Sequence, residues 1–414
     1  MIYNIHSKNK LTETLNRMFS LHPKLIDFDL SRLEELMAKF GNPENKLSNV
    51  IHIAGTNGKG STSSFLKEIL EAHNLTVNVY TSPHLINFNE RIRIKGTLIT
   101  DILLDDVLTE IEFKNQNNPI TFFEITTAAA FISFLRDPAD FNIIETGLGG
   151  RLDATNIIKE KRLCLITKIG YDHLEYLGHK IQDIAFEKAG ILRKNTPLII
   201  SHQDNQEAFH VIKDQALKLD IDIIETINLS KSTVIGLKGD HQYENASTAL
   251  TAAYNLIPNI SKEKVQFALT KTLWHGRIEE IKTGEILKYR NNVTILDGAH
   301  NIDGAIALAN FLKKQPHRKW NLIIGMLNNR NIIEFIFNVR EHINIIYTIP
   351  IKNQKSSSNP EELSLILNEE GLISYPTNSI EKALIKSDKE LPLLITGSLY
   401  LAGEVLSFND TNIT

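Results

Sequence analysis

The sequence predicts an α/β protein with two domains, a larger one built on a mostly parallel sheet and a smaller one of the doubly wound type. Apolar runs of strand length alternate with stretches of helical spacing over most of the chain, and this alternation favours parallel strands covered by helices. The chain has 414 residues, more than one hydrophobic core usually organises. A second alternating set starts near residue 292, where a second sheet would begin.

The composition is that of an ordinary soluble globular protein, with 42% hydrophobic residues, 23% charged residues and a net charge of -4. This charge offers no electrostatic footprint for nucleic acid. The N-terminus lacks the apolar segment of a signal peptide, and no apolar stretch is long enough to span a bilayer. We therefore expect a cytoplasmic protein with neither a membrane nor a nucleic-acid partner. The single cysteine, Cys164, lies in an apolar run, so neither a disulfide framework nor a catalytic thiol is expected.

The larger domain is predicted to begin with helices. Residues 11–40 carry leucines and methionines at helix-like intervals. Residues 121–135 are apolar on nearly every side, which predicts a helix buried inside the domain. The strands of this domain are predicted at residues 50–54, 77–80, 141–145, 163–169 and 198–201.

The smaller domain repeats the alternation on a shorter scale. Its predicted elements are a strand at 293–296, a helix at 305–312 and strands at 322–324, 343–349 and 393–395. Turn signals at Thr283-Gly284 and Asn291-Asn292 place the linker within residues 282–292. We expect the domains to cover residues 1–284 and 285–414.

A glycine-rich run, Gly55-Thr-Asn-Gly-Lys-Gly-Ser-Thr62, lies between the first predicted strand and a stretch of helical spacing. Glycines let several backbone N–H groups converge on one anion, and the following helix adds the positive end of its dipole. Lys59 supplies a mobile cation, and Ser61 or Thr62 supplies a hydroxyl for Mg²⁺. Gly60 separates Lys59 from Ser61, which departs from the general phosphate-loop spacing. A plain glycine turn is the alternative, but the strand, lysine and hydroxyls together favour nucleotide binding.

Three polar residues follow later strands of the same domain. Glu145 ends a strand before a glycine turn, where it can meet a Mg²⁺ ion held at the neighbouring loop. A solvated strand-end acid is the alternative. His173 follows the next strand, and because Mg²⁺ prefers oxygen ligands the residues alone leave its role open. Lys188 ends a short helical stretch, where a solvent-facing lysine is the default, but a desolvated lysine can react with CO₂ and become a carbamate.

Polar residues around the linker complete the candidate site. Asp297 and His300 follow the first strand of the smaller domain, at the position where ligands of open α/β sheets gather. Arg277 lies shortly before the linker. We expect these residues to face a cleft between the domains, where an enzyme can close over a nucleotide bound by the first domain.

These ordered blocks resemble folylpolyglutamate synthase and dihydrofolate synthase, members of the Mur ligase superfamily. The most specific block joins Thr81-Ser-Pro-His-Leu85 to Phe88-Asn-Glu-Arg-Ile-Arg93. The other blocks cover residues 145–156, 170–178, 186–190, 241–245, 297–301 and 396–400, so the resemblance runs over nearly the whole chain. It implies a P-loop-containing, mostly parallel sheet domain that is Mur ligase central-domain-like, followed by a smaller Rossmann-like α/β domain.

The resemblance also implies roles for individual residues. The ATP site would consist of Thr56, Asn57, Gly58, Lys59, Gly60, Ser61 and Thr62, completed by Asn245, Arg277 and Asp297. The ligands of two Mg²⁺ ions would be Ser61, Ser82, Glu145, His173 and a carbamylated lysine (N6-carboxylysine) at Lys188, with K⁺ as a further ion. The pteroate would contact Asp27, Phe28, Asp29, Phe122, Phe123, Glu124, Ile125, Leu152, Asp153 and Ala154. Lys59, Lys188 and His300 are expected to act in catalysis.

The implied reaction uses ATP to activate a carboxylate, and the amine of L-glutamate then attacks the acyl phosphate to form an amide. Dihydropteroate and reduced folates are both expected substrates, and a monomer is expected. A peptidoglycan ligase of the Mur type is one alternative, but the glycine loop begins too early to follow a UDP-sugar domain. A P-loop NTPase that acts as a conformational switch is the alternative of another class, and a nucleotide-binding regulator without turnover is a third.

Several positions depart from the usual pattern of this family. Asp29 stands where glycine is common, Lys168 where serine is common, and Asn328-Asn329-Arg330 lacks the acidic triplet often found after that strand. These changes concern substrate contacts and not the reaction class. Lys168 would add a cation near the metals.

Overall fold

A computed structural model of the chain describes residues 2–21 and 27–413, with side chains from residue 10 onward within these ranges. The strands are β1 (Val50–Ala54), β2 (Val77–Tyr80), β3 (Ile92–Ile94), β4 (Thr97–Leu98), β5 (Phe141–Glu145), β6 (Leu163–Ile166), β7 (Leu198–Ile200), β8 (Ile223–Ile224), β9 (Glu279–Glu280), β10 (Thr294–Leu296), β11 (Trp320–Ile324), β12 (Ile343–Thr348), β13 (Ser374–Pro376) and β14 (Leu393–Thr396). The helices are α1 (Ile2–Phe19), α2 (Ser31–Lys39), α3 (Lys59–Ala72), α4 (Asp101–Asn115), α5 (Phe122–Arg136), α6 (Leu174–Leu177), α7 (Ile181–Ala189), α8 (Gln206–Lys218), α9 (His241–Leu256), α10 (Lys262–Lys271), α11 (Ile302–Lys313), α12 (Ile332–Val339), α13 (Pro360–Glu369), α14 (Ile380–Lys386) and α15 (Leu399–Phe408).

The strands form two sheets, and the predicted α/β class is confirmed. The larger sheet has eight strands in the order β4-β3-β2-β5-β1-β6-β7-β8, and the smaller has six in the order β13-β12-β11-β14-β10-β9. Most neighbouring strands are parallel, with helices as the connections between them. We call the part of the chain around the larger sheet the larger domain, and the part around the smaller sheet the smaller domain.

Strand β1 lies near the centre of the larger sheet, between β5 and β6. All five of its residues are buried, and Ile53 pairs with Glu145 on one side and with Leu165 on the other. A continuous apolar run is typical of a parallel strand covered on both faces. Because the three strands are parallel and in register, the loops that follow them meet at one edge of the sheet.

The predicted strand at 163–169 is too long, because β6 ends at Ile166. Beyond it the chain leaves the sheet, and the carbonyl oxygen of Lys168 accepts hydrogen bonds from the N–H groups of Thr56 and Asn57, at 2.9 and 3.2 Å. The loop after β6 is thereby tied to the loop after β1. In the predicted helical region 11–40 the structure has α1 and α2, and residues 22–26 lie outside the described residues.

The predicted buried helix at 121–135 corresponds to α5, and eleven of its fifteen residues are buried. The helix begins with a capping box, in which the Thr121 hydroxyl accepts from the N–H of Glu124 and the Glu124 carboxylate accepts from the N–H of Thr121. This arrangement satisfies N–H groups that the first helical turn leaves without partners. It also fixes where Phe122 and Phe123 point.

Short antiparallel strands were not predicted. Strands β3 and β4 form a hairpin at one edge of the larger sheet, and β9 pairs antiparallel with β10 at the edge of the smaller sheet. Runs of two or three residues are too short to show periodicity. Since β9 lies before residue 285, the smaller sheet takes one strand from the N-terminal side of the predicted domain boundary. None of the described helices is both long enough and apolar enough to cross a membrane.

Candidate active site

A cavity of about 690 Å³ lies where the carboxyl ends of the strands of both sheets face each other. The larger domain lines it with the loops that follow β1, β5 and β6, and the smaller domain with the start of α11 and of α15. The predicted site residues that line this cavity are Asp27, Phe28, Asp29, Thr56, Asn57, Gly58, Lys59, Gly60, Ser61, Ser82, Phe123, Glu124, Glu145, Leu152, Asp153, Ala154, His173, Lys188, Asn245, Arg277, Asp297 and His300. Chain folding thus brings together residues that are up to 273 positions apart, from Asp27 to His300.

Three predicted site residues do not line the cavity. Thr62 is fully buried within α3, and its hydroxyl has no hydrogen-bond partner among the described residues. Phe122 packs its ring against Phe19 and Phe88, with centroid distances of 5.0 and 5.6 Å. Ile125 is 1% exposed and belongs to the hydrophobic core. Successive helical residues point about 100° apart, so only part of the run 122–125 can face a ligand.

The glycine loop turns from β1 into α3 with little room for side chains. Gly58 has φ 91°, and a Cβ placed on it would lie 2.2 Å from Oδ1 of Asn245. A Cβ on Gly60 would lie 2.8 Å from Nε1 of Trp274. The 14-residue helix α3 begins at Lys59, so its N-terminus points into the loop. Such a loop suits an anion, because backbone N–H groups and the helix dipole act on the same point.

Lys59 and Glu145 meet beside this loop. The ammonium of Lys59 donates to the carbonyl oxygen of Gly55 at 3.0 Å and lies 3.9 Å from Oε1 of Glu145. Glu145 is 4% exposed. Burial raises the pKa of Glu145 to about 7, although the charge of Lys59 and the N–H of Ser82 favour its ionised form. A buried carboxylate facing one lysine is poised to accept a further cation.

The oxygen atoms around Glu145 fit a Mg²⁺ ion. The hydroxyls of Ser61 and Ser82 line the cavity and make no hydrogen bond within the described part of the chain. No three His, Cys, Asp or Glu side chains gather as a metal-binding group in residues 10–21 and 27–413. Mg²⁺ is commonly held by one or two carboxylates together with water and substrate phosphates. The donor set therefore suits Mg²⁺ better than a metal that needs an all-protein cage.

Lys188 does not face solvent. It lies in α7, is 4% exposed and donates to the carbonyl oxygen of Gly55 at 3.0 Å. Burial, aided by the charge of Lys59, lowers the pKa of Lys188 to about 7. Near neutral pH an appreciable fraction of this amine is uncharged, which is the form that reacts with CO₂.

His173 lines the cavity in a left-handed backbone conformation, with φ 52°. Burial lowers the pKa of His173 to about 4, so the ring is neutral near pH 7 and can act as a ligand. The ring Nε2 lies 3.8 Å from Oδ1 of Asp172, whose carboxylate forms an ion pair with Arg330. This geometry does not alter the preference of Mg²⁺ for oxygen ligands, so a metal-binding role of His173 stays a prediction.

Arg32 ties the loop before α2 to the start of α5, through three carboxylates that line the cavity. Its guanidinium lies 3.0 Å from Asp27, 3.3 Å from Asp29 and 2.9 Å from Glu124. Sequence reasoning assigned the three carboxylates to the substrate and missed the arginine between them. Part of the signal was available, because Asp27 and Asp29 lie close to Arg32 in the sequence, whereas Glu124 is 92 positions away.

Phe123 and Asp153 form the wall next to this network. The Phe123 ring covers Gly147 so closely that a Cβ there would lie 2.3 Å from it. The Asp153 carboxylate accepts from the N–H groups of Leu148 at 2.8 Å and Thr155 at 3.0 Å. These bonds fix the glycine turn after β5 and leave Phe123 as the flat apolar surface of the wall.

The smaller domain and the segment before it face the glycine loop. Asp297 accepts from the N–H groups of Ile278 at 2.7 Å and Ala299 at 2.8 Å, and its charge attracts the guanidinium of the half-buried Arg277. His300 places Nδ1 2.8 Å from the carbonyl oxygen of Gly298. A carbonyl only accepts, so Nδ1 carries the proton and Nε2 is the acceptor of the neutral ring.

Lys168 is not a free cation in the site. It forms an ion pair with Asp204, and the charges of Asp303 and Glu244 also surround it. The expectation that it adds a positive charge near the metals is wrong, because these neighbouring carboxylates neutralise it.

Arg91 is a site residue that the sequence reasoning missed. It lines the cavity and donates from Nε to Nδ1 of His84 at 2.9 Å. Its guanidinium lies over the Phe88 ring, 5.5 Å from the centroid. No carboxylate forms an ion pair with it in the described ranges of the chain. Arg91 belongs to the block 88–93 that supported the resemblance, but no role in binding was predicted for its positive charge.

Known proteins share both the sequence and the fold. Residues 53–253 match the model of the Mur ligase middle domain. The chain is 32% identical to the dihydrofolate synthase/folylpolyglutamate synthase of Bacillus subtilis (strain 168), over 91% of this chain and 94% of that protein. It superposes on E. coli FolC in complex with DHPP and ADP with a TM-score of 0.86 and 27% identity, covering 97% of each chain.

A second solved structure adds a metal complex. It is the bifunctional folylpolyglutamate synthase/dihydrofolate synthase of Yersinia pestis complexed with AMPPNP and Mn ion, with a TM-score of 0.83 and 26% identity over 96% of this chain and 97% of that one. The sequence identity, the shared fold and the site geometry all indicate the same family. The chain belongs to the dihydrofolate synthase/folylpolyglutamate synthase family.

Proposed function

We propose that this chain is an ATP-dependent ligase that joins the carboxylate of dihydropteroate or of a reduced folate to the amine of L-glutamate. The observation that carries this proposal is one cavity whose lining contains both the anion loop, with Lys59 and Glu145 beside it, and the flat Phe123 wall. A nucleotide phosphate and a flat ring can thus bind at the same time. The names of the relatives supply the substrate class.

The main obstacle to this reaction is electrostatic. A carboxylate that comes within about 4 Å of a phosphate charge is repelled by about 4 kcal/mol at an effective dielectric constant near 20, which corresponds to about a thousandfold in rate. Lys59 and the N–H groups of the glycine loop offset this repulsion. A Mg²⁺ ion held by Glu145, Ser61 and Ser82 would supply further positive charge at the phosphate oxygens.

The incoming amine must lose a proton before or during its attack on the acyl phosphate. We assign this step to His300 and not to Asp297. Both oxygens of Asp297 already accept N–H groups from Ile278 and Ala299, whereas Nε2 of His300 is the acceptor of the neutral ring.

Lys188 is proposed to act as its carbamate, which would present a carboxylate-like group beside the glycine loop. Its burial, its contact with Gly55 and its lowered pKa support the proposal. The presence of two Mg²⁺ ions, a K⁺ ion, a monomeric state and a cytoplasmic location stay predictions. Arg91 is proposed to meet the substrate carboxylate, since it is a cation in the cavity wall without an ion-pair partner in the described ranges.

Parallel assays of ADP release test the function. Dihydropteroate and tetrahydrofolate are each supplied with ATP, Mg²⁺ and L-glutamate, and each acceptor is omitted in turn. We expect ADP only when both an acceptor carboxylate and glutamate are present, with both folates serving as substrates. ADP release without an acceptor would favour a P-loop switch and contradict the ligase. Turnover with only one folate would contradict the proposal of two activities.

A further inference from the structure

Asp172 lies at the contact between the two domains, where three side chains of the smaller domain meet it. Its Oδ1 forms an ion pair with the guanidinium of Arg330. Its Oδ2 accepts from Nδ2 of Asn301 at 3.1 Å and lies 3.5 Å from Nε2 of His300. One carboxylate of the larger domain therefore accepts from two donors of the smaller domain, the Arg330 guanidinium and the Asn301 amide.

The Arg330 pair is the charged member of this contact and is shielded from water. The side chains of Arg330 and Asp172 are 13% and 8% exposed. A pair shielded in this way is screened less than a surface pair, and removing one partner leaves the other charge buried and uncompensated. A second contact crosses the same boundary, where the uncharged amide of Asn329 donates from Nδ2 to Oε1 of Glu175 at 3.1 Å.

The contact continues to the phosphate loop. Nδ2 of Asn301 also donates to Oδ1 of Asn57 at 3.2 Å, and Nδ2 of Asn57 donates to Asp303 in α11 at 3.3 Å. On the other side, Asp172 immediately precedes His173 in the cavity wall. One contact thus joins the smaller domain to the glycine loop and to the loop that carries His173.

We propose that Arg330 is a positioning residue, which holds the smaller domain against the larger one through Asp172 and thereby fixes the loop around residues 170–178. The proposal rests on the proposed ligase function. It gives a role to the segment Asn328-Asn329-Arg330, which the sequence reasoning had noted only as a departure from a family pattern. Arg330 acts through Asp172 and not by touching the substrate.

The physical reason is the precision that the reaction needs. Groups from both domains, such as Lys59 and His300, must be held together, and a displacement of about 1 Å can cost about 100-fold in rate. Arg330→Gln removes the charge and leaves Asp172 without its cation. We expect kcat to fall by about 100-fold, with a smaller change in KM for ATP. Arg330→Lys keeps the charge on a group of different shape and reach, so it is expected to recover part of the loss.

A double-mutant cycle separates this role from direct contact with substrate. Kinetics are measured for the wild type, Arg330→Gln, Asp172→Asn and the double variant. If Arg330 acts through Asp172, adding Arg330→Gln to the Asp172→Asn protein has little further effect. If the two losses multiply, Arg330 acts on another partner and the proposal is overturned.

A structural readout tests the same point without turnover. Small-angle scattering of the ligand-free protein should give a larger radius of gyration for Arg330→Gln than for the wild type. The matched control is Lys314→Gln, which removes another ion pair between the domains, from Lys314 to Asp240 at 2.6 Å, with exposed partners. It should leave both kcat and the radius of gyration unchanged.

The outcomes distinguish the two proposals. A wild-type protein that forms no amide would overturn the ligase function, whereas the scattering comparison would still report on the contact between the domains. An unchanged radius of gyration for Arg330→Gln overturns the positioning role even if the enzyme is an active ligase.

Discussion

Replacing Gly58 by alanine should weaken ATP binding, because the new Cβ causes both backbone strain and a steric clash. Gly58 has φ 91°, and a side chain in the left-handed region costs about 1–2 kcal/mol. The new Cβ would lie 2.2 Å from Oδ1 of Asn245, so Asn245 must move. It then loses the bond from its Nδ2 to Gln242, 2.9 Å long, worth about 0.5–1.5 kcal/mol.

The two terms sum to about 1.5–3.5 kcal/mol, which is roughly a 10- to 300-fold loss of affinity. The free protein can relieve the strain by displacing the loop, but ATP needs the loop in place, so the cost falls on binding and not on stability. Titration calorimetry with ATP measures the affinity, and denaturant unfolding measures the stability. Wild-type affinity in Gly58→Ala would refute the reasoning.

A matched control isolates the clash from the backbone strain. Gly371 has φ 77° and nothing within 4 Å of a Cβ, so Gly371→Ala should lose about 1 kcal/mol of stability and keep its ATP affinity. In a protein that already carries Asn245→Ala the clash is absent. Adding Gly58→Ala should then cost only the backbone part, about tenfold in affinity.

Three further predictions concern other parts of the site and the core. Lys188→Ala should abolish turnover while the circular dichroism spectrum stays unchanged, and near-normal kcat would rule out the carbamate role. Arg32→Ala should raise KM for dihydropteroate about tenfold, because Arg32 no longer holds the carboxylates of Asp27 and Glu124 in place. KM for ATP should stay unchanged, and equal effects on both KM values would contradict a local role of Arg32. Burial lowers the pKa of Lys161 to about 7, so the folded state binds fewer protons than the unfolded state between pH 7 and about 10.5. The free energy of unfolding should therefore rise by about 1.4 kcal/mol per pH unit in this range. Unfolding measurements on Lys161→Met should no longer show this dependence on pH.

Much of the fold was open to prediction from local patterns. The strands β1, β2 and β5 have the predicted bounds, because a buried parallel strand leaves a continuous apolar run between polar turns. The short strands β3, β4, β8, β9 and β13 were missed, since two or three residues carry no periodicity. The resemblance supplied most of the cavity wall, and it misplaced residues only where helix geometry turns neighbours such as Phe122 and Phe123 to different sides.

The sequence by itself determined the α/β class, the phosphate loop and the family, because each can be recognised from the identity and spacing of residues that are close together in the chain. Only the tertiary structure decided which charges are neutralised and which are not. Lys168 meets Asp204, and Asp172 meets Arg330 across the domains, while Arg91 is left without a carboxylate in the described ranges. These pairings join residues up to 158 positions apart, so they depend on how the two sheets face each other and not on any local pattern.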